Sequence, residues 1–99
     1  MTEEGLEEFL ILRSLDEPIS KTELEAAGEA SGEVLKQLRD EGVGIRWVES
    51  EVLTNEDGDV TGTFCQYEAE SEEVVREHAE RAGLPATRID RRGTPLKGE

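Results

Sequence analysis

The stretch FCQYEAESEEVVREHAERAGLPATRI, residues 64–89, decides the fold, because it changes period twice and holds the chain's only Cys, Tyr and His. Phe64 to Ala69 has side chains alternating between two faces, with Cys65 and Tyr67 on one and Phe64, Gln66 and Glu68 on the other. Ser71 is an N-cap, followed by Glu72 and Glu73 where the helix dipole favours anions. Val74, Val75, His78, Ala79 and Ala82 recur at helical spacing, so the helix buries this stripe. Gly83-Leu84-Pro85 ends it, and Arg88 to Arg91 reads as a short, polar last strand. The passage is strand, helix, strand.

Working outward, the first half repeats that logic. Phe9-Leu10-Ile11-Leu12 is continuously apolar, which predicts a strand covered on both faces, broken at Asp16-Glu17-Pro18. Ser20 and Glu23 form a capping box, and Leu24, Ala27, Ser31, Val34, Leu35 and Leu38 continue a helical stripe up to a left-handed stop at Gly42. Val43 to Val52 reads as a strand, with Val43, Ile45 and Trp47 on one side and Val48 and Val52 on the other. Asp57-Gly58 within Asn55 to Asp59 suits a hairpin turn into a strand over Thr61 to Ala69. The order β-α-β-β-α-β is the ferredoxin-like arrangement: an α+β domain with an antiparallel sheet and two helices on one face. It is expected over residues 9–92, between an acidic tail at 1–8 and a polar tail at 93–99. With both sides of Phe9 to Leu12 apolar, the sheet's uncovered face is expected to pair with a second copy, making a homodimeric α/β barrel.

Charge excludes several partners. The 99 residues hold 25 acidic and 11 basic side chains, a formal charge of -14, which repels phosphate backbones and anionic membrane surfaces. Carboxylates scattered over helices and both ends, with few lysines, fit a surface adapted to a salt-in halophile's cytosol, where screening is strong. One cysteine forms no internal disulfide, and neither a leader nor a membrane-spanning run is readable, so a cytoplasmic location is expected.

Few side chains carry chemistry. His78 points inward from its helix and is either a buried, hydrogen-bonded histidine or a metal ligand or acid–base group. Cys65 is either a small buried hydrophobe or a soft ligand. Glu68 falls at the end of a half-buried strand, and Arg13 closes the most apolar one, where it needs a partner such as Glu68 or Glu49. No Cys-x-x-Cys, His-x-x-x-His or Glu-x-x-His spacing is present, nor a phosphate loop, nucleophile elbow or dinucleotide fingerprint.

Through Phe64-Cys65-Gln66-Tyr67-Glu68-Ala69, Val74-Val75-Arg76-Glu77-His78-Ala79 and Arg81-Ala82-Gly83-Leu84-Pro85, the chain resembles the family of small nickel-binding proteins long catalogued as a domain of unknown function. The likeness extends through Leu12-Arg13 and Gly42-Val43 to Trp47 and Ser50, over about residues 9–90. It implies a ferredoxin-like homodimer that binds Ni2+ or another divalent transition metal, without catalysis of its own. His78, Cys65 and Glu68 are carried over as candidate metal ligands, and Arg13 and Tyr67 as pocket-lining residues. Ser14 stands where relatives can carry a histidine, which removes a nitrogen donor. The alternative is a monooxygenase-like dimeric barrel enzyme with His78, Tyr67 and Arg13 around a small pocket between sheet and helices.

Overall fold

The computed structural model describes residues 5–98. Its order is β1 (Glu7–Ile19), α1 (Lys21–Asp40), β2 (Ile45–Thr54), β3 (Val60–Ala69), α2 (Glu72–Ala82) and β4 (Arg88–Arg91). Among the described residues the four strands form one antiparallel sheet in the order β2-β3-β1-β4. This is the expected ferredoxin-like α+β topology, in which two central strands come from opposite halves of the chain.

The helices begin and end where their caps dictate. Ser20 Oγ accepts from the Glu23 amide at 3.1 Å while the Glu23 carboxylate accepts from the Ser20 amide at 3.0 Å, so the capping box is closed. Ser71 caps α2, and Gly83 closes it in the left-handed conformation at φ 69°, with the Leu84 amide donating back to the Ala79 carbonyl at 2.9 Å. Arg81 then ties the two helix ends together, bonded to Glu77 on its own helix and to both carboxylate oxygens of Glu41 at the end of α1. That guanidinium holds the Glu41 carboxyl below its ordinary range.

Both helices cover one face of the sheet. Phe9, Ile11, Ile45, Tyr67 and Ala69 meet Val34, Leu35, Leu38 and Val75 there, all buried. Removing each large apolar side chain from water contributes about 1.5–3 kcal/mol. The opposite face carries Leu10 and Leu12, only half-buried, and Phe64, which is 40% exposed.

Three local readings are corrected. β1 begins at Glu7, because Glu7 and Glu8 pair with Ala69 and Glu68 of β3 and their carboxylates meet Arg91 and Arg92. Of the acidic tail expected at 1–8, residues 1–4 lie outside the described residues, as does Glu99 of the polar tail. Asp16-Glu17-Pro18 does not end β1 either: the strand shifts register after Ser14 and resumes pairing at Ile19 with Val60. Third, Val48 is an extra residue in β2, since Trp47 pairs with Tyr67 and Glu49 already with Gln66. The irregularity reverses the alternation beyond it. Ser50 and Val52 therefore lie on the same face as Trp47 instead of opposite it.

Candidate functional site

Alternation along the central strands sorts the candidate residues by face. Arg13 pairs with Thr63, Ile11 with Cys65 and Phe9 with Tyr67, which places Arg13, Cys65 and Tyr67 under the helices. Glu68, one step out of phase, sits on the uncovered face with its partner Arg46 at 3.4 Å. His78 enters from α2 and is fully buried against Tyr67, ring centroids 5.3 Å apart.

His78 is a hydrogen-bonded core histidine. Its Nε2 is 3.0 Å from Ser31 Oγ and 3.4 Å from the Ser31 carbonyl. Because a carbonyl only accepts, the Nε2–H tautomer satisfies both contacts and leaves Nδ1 as a bare acceptor, and Nδ1 is indeed buried without a partner. Burial first, and the nearby Arg13 charge second, push the imidazole pKa down to about 4, so it is neutral at neutral pH. Cys65 Sγ donates to Thr63 Oγ1 at 3.3 Å and is buried. Burial also raises the Tyr67 phenol, which stays protonated.

Arg13 departs furthest from expectation. The ion pair anticipated with Glu68 or Glu49 does not form, because both carboxylates belong to the opposite face. Arg13 is instead 4% exposed, donates through Nη1 to the Pro85 carbonyl at 2.8 Å, and leaves Nη2 buried without an acceptor. Its Cζ lies 5.8 Å from the centre of the Tyr67 ring, a cation–π separation. An incompletely paired buried charge costs several kcal/mol.

Beside Arg13 a cavity of about 390 Å³ opens between α1 and the sheet, lined by Arg13, Tyr67, Cys65, Ser31, Trp47 and further apolar and small side chains. His78 is not part of that wall. Reading the strands found Arg13 and Tyr67, but not Trp47 or the small residues of α1. Their signal was present: Ala27, Gly28, Ser31 and Gly32 interrupt an otherwise bulky stripe, and a Cβ added at Gly28 or Gly32 would meet nothing within 4 Å.

Within one chain the structure does not bring the expected trio together. His78 and Cys65 lie under the helices, with His78 Nε2 bonded to Ser31 and Cys65 Sγ to Thr63, and Glu68 is across the sheet. Among the described residues no three His, Cys, Asp or Glu side chains are grouped to hold an ion. Nor is any helix among them long and apolar enough to cross a membrane.

Comparison with known proteins adds a relationship. A family described as nickel responsive protein SCO4226-like matches residues 9–91. No curated protein matches. Among solved structures, SCO4226 from Streptomyces coelicolor A3(2) superposes with a TM-score of 0.65 at 22% identity, covering 92% of this chain and 99% of that one. At that identity the superposition speaks for the fold.

Proposed function

The chain belongs to the SCO4226-like family of nickel-responsive proteins, and from that premise we propose that it is a small, non-catalytic protein that responds to nickel as a homodimer. The family match along almost the whole domain carries this reading. The donor set refines it: one chain does not assemble His78, Cys65 and Glu68, so a metal ion needs donors from a second copy or from solvent. Glu68 is the ligand candidate best placed for sharing. It lies on the uncovered face at 14% side-chain exposure, with Oε1 buried and without a hydrogen bond. Leu10, Leu12 and Phe64 on that face supply the apolar surface a second copy would cover.

The remaining parts of the proposal are adaptation to high salt, supported by the charge of -14, and a cytoplasmic setting. Calorimetric titration of tag-free protein with nickel, zinc and copper, paired with sedimentation, tests the core of it. Saturable nickel binding that strengthens as the dimer forms, and that Glu68→Gln weakens, is the expected result. Absence of binding by all three ions, or an unchanged monomer that binds nickel as tightly as Glu68→Gln, would overturn it.

The enzyme reading draws support from the cavity beside Arg13 and Tyr67. Against catalysis stands His78, neutral, bonded to Ser31 and outside the cavity wall. Ligand binding is the smaller step from the same observation.

A further inference from the structure

Among the described residues the cavity under α1 has one charged residue in its wall, Arg13. Its neighbours there include Leu24, Leu35, Val52 and Leu84. Although the chain has 25 acidic side chains, none of those described forms an ion pair with Arg13. Nη1 is held by the Pro85 carbonyl while Nη2 has no acceptor among the described residues. A guanidinium fork fixed at one nitrogen and vacant at the other suits the oxygens of a carboxylate, whose charge would complete the pair. The apolar wall and the space left by Gly28 and Gly32 suit an aliphatic or aromatic body.

We propose that this cavity binds a small amphipathic carboxylate, its charged end against Arg13 and its apolar body along α1 toward Trp47. The size of the cavity is that of a small-molecule site. The anionic surface opposes entry of such a ligand, so selectivity for it resides in the buried arginine and not in the long-range field. This inference stands on Arg13 and the cavity and is independent of nickel.

Trp47 is the chain's single tryptophan, 54% exposed and part of the cavity wall, so its fluorescence reports on occupancy. Titration with octanoate, octanol and octylammonium at fixed salt is the test. Octanoate should change the emission saturably, octanol should bind about tenfold more weakly, and octylammonium should not compete. Arg13→Met should erase the preference for octanoate over octanol. Should that variant fail to fold, Gly28→Leu, which places a side chain in open space on the cavity side of a helix, should abolish the response to both without lowering the unfolding midpoint. Equal affinity for octanoate and octanol, no saturable response, or undiminished octanoate binding by folded Gly28→Leu would each overturn the proposal.

Discussion

The two faces of the sheet obey opposite rules. Among the described residues, a guanidinium, an imidazole, a phenol and a thiol are buried under the helices with no carboxylate beside them, whereas the uncovered face sets Leu10, Leu12 and Phe64 among Glu49, Glu51 and Glu68. The cause is the two-residue period of a strand, which cannot place Cys65 and Glu68 on one side without a bulge between them. β3 keeps its alternation from Phe64 to Ala69. The difference teaches that sequence neighbours in a motif need not share a site. Phe64 to Ala69 supplies one ligand candidate to each side, and the helix-covered side is left with a charge that has no counter-ion among the described residues.

Perturbing matched positions on the two faces is the strongest way to break this comparison. Ile11→Ala, fully buried under the helices, should cost about 2–5 kcal/mol in urea unfolding. Leu12→Ala on the other face should cost about 1 kcal/mol in dilute protein, and more only where a second copy covers it. Equal losses at low concentration would mean that both faces are buried within one chain.

Acid should act through the covered face. The folded pKa of His78, about 4, lies below the ordinary value of 6.5, so between these the unfolded chain binds the extra proton. Stability is then full above about pH 6.5 and falls as the pH drops toward 4, by about 3 kcal/mol from this group. The check is the difference in urea stability between wild type and His78→Gln at pH 7 and pH 4.5. Carboxylates common to both proteins cancel, and a constant difference would contradict the burial of a neutral imidazole.

Two smaller effects sharpen the picture where the faces meet α1 and β1. Gly62→Ala would drive a Cβ into the Arg13 carbonyl oxygen, costing about 1–3 kcal/mol and disturbing the backbone that aims the guanidinium. Gly28→Ala meets nothing, and by raising helix propensity it should stabilise by up to about 1 kcal/mol in thermal unfolding. A destabilised Gly28→Ala would show that the space beside α1 is filled.

Helix ends were legible because their causes are local: Ser20 with Glu23, Ser71, and Gly83 each act within a few residues. The two-fold β-α-β order and the inward direction of His78 followed from periodicity for the same reason. Arg13's surroundings did not, since its expected partners Glu49 and Glu68 are assigned to a face by pairing between distant strands. The irregularity at Val48 leaves no mark in composition, yet it turns Val52 to the cavity side. β1 runs past Pro18 because β3 offers Val60 as a partner to Ile19, a tertiary contact that outweighs the local breaker. A cavity is harder still to read, being defined by what Gly28 and Gly32 omit.

X-ray absorption at the nickel edge, on tag-free protein loaded with one ion per binding site, tests the separation of the two faces directly. Coordination by oxygen donors without sulfur is predicted, because Cys65 and His78 both lie under the helices, bonded to Thr63 and Ser31, while Glu68 is on the face a second copy can reach. A nickel–sulfur shell would put Cys65 on the metal and contradict the account.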